Sequence, residues 1–274
     1  MTEQRPGDNQ TDPAQAKLEA AMQHIKHRIV VFSGKGGVGK TTVSVNLAVA
    51  LGELGFAVGL FDADVTGPNV ARMTGASDPT QVRGERALPH LRHGLHVVSL
   101  ATMLPPDAPV IWRGPMRSRA IEQLLTETLW DDVDTLVTDL PPGTGDEVLT
   151  VVQRVRPQVA VIVTTPQSVA RGDARRAIGF AKKLDIPSIG VVENMSGLVC
   201  PHCGESIELF GANTTQADAQ ALDVDHFGVL PMDPLVPGES DEGAPAVLTR
   251  PHSAWTGAVR QIARAVAERL QPGR

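Results

Sequence analysis

The stretch Gly34-Lys35-Gly36-Gly37-Val38-Gly39-Lys40-Thr41, with Thr42 after it, has the residue types and spacing of a phosphate-binding loop. Its glycines let backbone N–H groups turn towards phosphate oxygens, and a helix starting at the loop adds partial positive charge. Lys40 is placed to reach the β- and γ-phosphates of a nucleoside triphosphate, and the Thr41 hydroxyl to ligate Mg. Lys35 adds a second cation inside the loop. It can cancel charge in its own site, reach a nucleotide bound to a second subunit as an arginine finger does, or stand solvated at the surface.

Two further segments offer carboxylates after apolar runs. Leu60-Phe61-Asp62-Ala63-Asp64 leads into the turn formers Gly67 and Pro68. Hydrolysis of a phosphoanhydride needs positioning and charge placement more than a strong base, which makes Asp64 the candidate to orient water. Asp62 caps or supports the loop. Asp139 ends the run Asp134-Thr135-Leu136-Val137-Thr138 and precedes Leu140-Pro141-Pro142-Gly143-Thr144-Gly145-Asp146. A carboxylate there holds Mg, usually through water, beside a glycine-bearing loop that can sense the γ-phosphate.

Asn194, at the end of Val191-Val192-Glu193, carries a carboxamide able both to donate to and to accept from an adenine edge, although a strand-end Asn also suits a turn. Cys200 and Cys203 are the chain's two cysteines, in Cys200-Pro201-His202-Cys203-Gly204. Their spacing suits one metal or cluster, a redox pair, or a packed pair without ligands. Zinc and iron-sulfur clusters ordinarily take four ligands, so a cluster here must bridge two subunits on a two-fold axis. The other histidines lack metal spacing.

These residues need a frame, and the sequence supplies one. Short β-branched runs near 28–33, 57–62, 95–100, 134–139, 159–164, 188–193 and 226–230 alternate with helical patterns near 40–54, 114–130, 168–184 and 253–269. The alternation predicts an α/β fold, a mostly parallel sheet with helices on both faces, whose ligands lie beyond the carboxyl ends of the strands. Residues 1–24 read as a disordered or short helical lead, with the helix near 16–22, and residues 25–274 as one domain. Segment 74–93 reads as an excursion or a hairpin.

Composition limits the partners. The chain has 274 residues, 42% hydrophobic, with a net charge of −6. That charge argues against nucleic acid and anionic membrane, and 3% aromatics without tyrosine argue against base-stacking platforms. No run of about 18 apolar residues spans a bilayer, the polar start lacks a signal core, and the last helix reads as a docked core helix rather than an anchor. A cytoplasmic protein without stable membrane association is expected.

Taken together, these motifs resemble the Mrp/ApbC-type iron-sulfur cluster carrier ATPases, within the deviant Walker A (MinD/ParA-like, SIMIBI-type) P-loop NTPases. The likeness covers nearly all of residues 27–250 and includes Trp112-Arg113-Gly114-Pro115-Met116 and Thr165-Pro166-Gln167. The first loop alone names the class; the cysteine pair after Asn194-Met195-Ser196 singles out the carriers. The resemblance implies a homodimer that binds ATP and Mg, hydrolyses ATP slowly, and holds a labile 4Fe-4S cluster between Cys200 and Cys203 of both chains for transfer to apo iron-sulfur proteins. It implies that Lys35 is the signature lysine, Lys40 and Thr41 the phosphate and Mg residues, Asp64 the hydrolysis aspartate, Asp139 the switch aspartate and Asn194 the adenine-side residue. Two features depart from the family pattern: the short polar lead replaces the small extra domain of many bacterial members, and Phe210-Gly211-Ala212-Asn213-Thr214 replaces a more glycine-rich stretch. The competing readings are a spatial organiser like the partitioning or septum-placing relatives, and a dimer bridged by zinc.

Overall fold

The computed structural model describes residues 13–103, 114–200, 202–203, 205–211 and 215–271. Trp112, Arg113, Pro201, Gly204, residues 212–214 and the polar lead through residue 12 lie outside the described residues.

In chain order the described strands are β1 His27–Phe32, β2 Val58–Asp62, β3 Val82–Arg83, β4 Arg86–Ala87, β5 His90–Arg92, β6 Leu95–Ser99, β7 Thr135–Asp139, β8 Val159–Thr164, β9 Ser188–Glu193, β10 Leu198–Val199, β11 Ser206–Ile207 and β12 Asp225–Val229. The helices are α1 Pro13–Ala21, α2 Lys40–Glu53, α3 Val70–Met73, α4 Gly114–Glu127, α5 Asp146–Val155, α6 Ser168–Lys183, α7 Thr215–Ala221, α8 Val236–Asp241, α9 Ala246–Thr249 and α10 Ala254–Leu270. Eight strands form one sheet in the order β12-β9-β8-β1-β7-β2-β6-β5. Neighbours run parallel except β5, which turns back antiparallel on β6. Segment 74–93 supplies both this strand and the small β3–β4 hairpin.

The strands read as continuous apolar runs because both faces are covered. In β1, Ile29 and Val31 enter one core while Val30 and Phe32 enter the other, the two-residue period of a strand. The first core is closed by α2 and α10; the second holds side chains of α1, α4, α5 and α6. Helix α1 joins it through Leu18, which is buried. Helix α5 was not among the expected elements. Its Val148, Val151, Val152 and Val155 follow helical spacing and are buried.

Register does the positioning. β2 pairs with β7 so that Asp62 stands opposite Asp139, and β1 pairs with β7 so that Val31 stands opposite the same Asp139. Both carboxylates and the start of the glycine loop therefore leave the sheet at one carboxyl edge. The cysteines stand at the tip of a separate antiparallel hairpin made by β10 and β11, closed by Cys200 N–H donating to Glu205 O at 2.8 Å.

Candidate functional site

The glycine loop joins β1 to α2, and two close approaches define its shape. A Cβ at Gly34 would stand 2.3 Å from the Asp173 backbone of α6. Gly39 has φ 81°, and a Cβ there would meet Asn194 Nδ2 at 2.2 Å; both positions require glycine. Gly39 is also the N-cap of α2 and supplies no side-chain cap, so the first-turn N–H groups remain available to an anion.

At the base of this cradle lies a buried polar cluster. Lys40 Nζ donates to Asp139 Oδ2 at 2.6 Å, and Thr41 Oγ1 donates to the same oxygen at 2.8 Å. Ser44 Oγ, one turn further along α2, donates to Asp139 Oδ1 at 2.5 Å. Sequence reasoning passed over Ser44, although a serine four residues after the loop lysine lies on the same helix face. Asp139 is 1% exposed and Lys40 7%, so the pair is an ion pair withdrawn from water.

Asp62 is equally buried. Its Oδ1 accepts from Asp64 N–H, and its Oδ2 from Val70 N–H and Ser99 Oγ, which makes it the support of the loop between β2 and α3. Burial first, then the neighbouring Asp139, push its pKa up from 3.8 to about 7, against the opposing pull of Lys40. The folded chain therefore holds a proton that the unfolded chain loses near pH 4. The stability Asp62 contributes is complete below that value and is lost as pH rises towards about 7. Denaturant unfolding of wild type and Asp62→Asn between pH 4 and 8, without nucleotide or Mg, should show the wild-type advantage shrinking with rising pH; a constant difference would contradict it.

Asp64 lines the same cleft as Lys40, Thr41 and Thr42, a space of 370 Å³ walled on its far side by Arg72 of α3 and Ser240 of α8. Its Oδ1 accepts from Gly67 N–H at 3.1 Å. Burial raises its pKa above the ordinary carboxylate range, partly offset by Lys40. Lys35 Nζ donates to Gln167 Oε1 at 3.3 Å within the chain, a partner the sequence did not point to. Asn194 donates from Nδ2 to Val38 O at 2.9 Å and is 6% exposed. Its carboxamide thus braces the loop from behind.

Beyond Asn194 the chain enters the cysteine hairpin, held to the sheet edge by Ser196 N–H on Leu230 O and Met232 N–H on Gly197 O. Cys200 is half-buried and Cys203 exposed, both as free thiols. Backbone N–H groups of Cys203 and His202, then the Cys203 thiol, lower the Cys200 pKa, which favours its thiolate. Among the described residues no group of three or more His, Cys, Asp or Glu could hold a metal ion. The described part of one chain thus offers two thiols.

A glycine cradle between the first strand and its helix, with a neighbouring strand's aspartate on the loop lysine and threonine, defines a P-loop nucleotide hydrolase. The donor set fits a nucleotide with Mg: N–H groups and Lys40 for phosphates, Thr41 and Asp139 for the cation. The chain belongs to the ParA family of NUBPL iron-transfer P-loop NTPases, whose model matches residues 24–267. It is 45% identical over 251 residues to the iron-sulfur cluster carrier protein of Pyrococcus horikoshii, covering 87% of this chain and 85% of that one. The fold superposes with a TM-score of 0.77 on a nucleotide-binding protein from Archaeoglobus fulgidus in complex with ADP, 34% identical, over 88% of this chain and 95% of that chain. The cell-division ATPase MinD of Pyrococcus furiosus matches with a TM-score of 0.67 and 26% identity, over 89% of this chain and 99% of its own. Family membership implies nucleoside triphosphatase activity. No helix among the described residues is long and apolar enough to cross a membrane.

Proposed function

We propose that the chain is an ATP-hydrolysing carrier of a 4Fe-4S cluster, held between Cys200 and Cys203 of two copies and passed to apo iron-sulfur proteins in the cytoplasm. The observation that carries this reading is the common root of the two sites. Asn194, the residue after β9, is bonded to the phosphate loop, and the hairpin bearing both thiols begins four residues later at Leu198.

Gly34, Gly36, Gly37 and Gly39 with Val38 form the cradle, Lys40 and Thr42 meet the phosphate end of ATP, and Asn194 reads the adenine side. Thr41 and Asp139 would hold Mg, which would neutralise phosphate charge. Asp64 orients the attacking water. Lys35 is the residue that a facing copy presents to the nucleotide, which ties hydrolysis to dimer formation. Two copies supply the four thiolates that a cluster ordinarily takes. Neither nucleic acid nor a membrane has a part in this reading.

Anaerobic reconstitution with iron and sulfide tests it. The expected result is a broad visible absorption, with about four iron atoms per two chains, that the Cys200→Ser/Cys203→Ser variant does not develop. Absorption that survives in that variant sinks the assignment. Protein purified without oxygen that carries about one zinc per two chains and no iron supports the zinc-bridged alternative instead.

A further inference from the structure

The carboxylate of Glu193 has no part in the sites described above. It is 0% exposed; Oε2 accepts from Thr215 Oγ1 at 2.7 Å, and Oε1 has no hydrogen-bond partner among the described residues. A buried carboxylate with an unsatisfied oxygen is costly, so packing does not account for it. Its place in the chain does. Glu193 ends β9, and the next residue, Asn194, grips the phosphate loop through Val38 O. Thr215 opens α7, the helix that follows the cysteine hairpin, and is 2% exposed. The entry of the hairpin hangs from the same residue, since Ser196 N–H donates to Leu230 O and Leu230 N–H donates to Glu193 O at 2.7 Å. One peptide step, from 193 to 194, therefore links the phosphate loop to the chain leaving the thiols.

We infer that Glu193 and Thr215 are positioning residues that transmit the conformation of the phosphate loop to the Cys200–Cys203 hairpin. A nucleotide that draws the loop N–H groups onto its phosphates moves Val38, and Asn194 with it. Glu193 follows as the adjacent residue and carries along both Thr215, on the exit side, and Leu230, which holds the entry, so the hairpin shifts with the loop. The inference rests on the proposed nucleotide binding, and holds whichever metal the thiols take.

Alkylation of Cys200 and Cys203 by iodoacetamide, in the metal-free full chain with and without Mg and ADP, reads the hairpin directly. Wild type should differ by about five-fold or more in rate between the two conditions. Thr215→Val keeps side-chain volume and should bring that ratio close to one, while Thr215→Ser, which restores the hydroxyl, restores it. ADP affinity, measured on the same samples, should stay near the wild-type value throughout, as a purely structural defect would not allow. A wild-type rate that ignores ADP, or a Thr215→Val ratio equal to wild type, overturns the inference. Absence of ADP binding by wild type overturns the nucleotide reading and the inference with it, and the affinity measurement tells the two failures apart.

Discussion

Replacing Lys40 with alanine is expected to abolish ATP binding at working concentrations. Lys40 is the side-chain cation at the floor of the cradle, 7% exposed and 2.6 Å from Asp139. Truncating one member of a buried, hydrogen-bonded charge pair costs about 2–5 kcal/mol, or roughly 30- to several-thousand-fold in affinity. The variant also leaves Asp139 without its cation in a site that already contains Asp62. Breaking a buried pair in that way destabilises a fold by about 3–5 kcal/mol, so the thermal midpoint should fall as well. Lys40→Met, which refills the volume without the charge, separates these effects. Fluorescent-nucleotide titration of both variants at a temperature where circular dichroism shows them folded provides the measurement, and unchanged ATP affinity in either would remove Lys40 from the phosphate site.

Asp64→Ala should act on the other parameter. Asp64 stands in the cleft without contacting Lys40 or Thr41 through a hydrogen bond among the described residues, so ATP affinity should persist. Turnover should drop by roughly 100-fold or more, the scale on which misplaced charge at a reacting centre is felt. The alanine also loses the bond to Gly67 N–H, whereas Asp64→Asn keeps an acceptor for it and removes only the charge. Equal loss of kcat in both variants assigns the effect to the carboxylate. Full turnover in Asp64→Asn assigns it to the turn, and parental turnover in both moves the water-positioning role elsewhere. Because burial raises the Asp64 pKa, its ionised form is lost at a higher pH than for an ordinary carboxylate as pH falls, and the acid limb of the rate profile should reflect that.

Much of this architecture was legible in the linear chain, for identifiable reasons. All seven expected strands form, and 159–164 and 188–193 match their bounds. Buried on both faces, such strands must be β-branched runs, and these end in carboxylates or turn residues. The phosphate loop and the cysteine pair were visible because their chemistry depends on spacing within one short segment. Helix α5 was missed because Val148, Thr150, Val151 and Val152 have the composition of a strand; the three- and four-residue spacing of its buried valines carried the contrary signal. The bonds of Lys35 to Gln167, Glu193 to Thr215 and Asn194 to Val38 were illegible for a different reason. Each joins residues far apart in the chain, and only the sheet order brings their elements together.

The ends of that sheet have a consequence for assembly. On one side it stops at β5, three residues long and carrying His90 and Arg92; on the other it stops at β12, whose pairing with β9 is interrupted between His226 and Gly228. A short charged strand and an irregular one are poor templates for a strand from another molecule. Joining one sheet edge head to tail to the opposite edge of the next copy adds subunits without limit and ends in fibres, whereas contact through a self-complementary patch closes after one partner. With both borders guarded against the open-ended mode, the molecule is suited to finite, closed association.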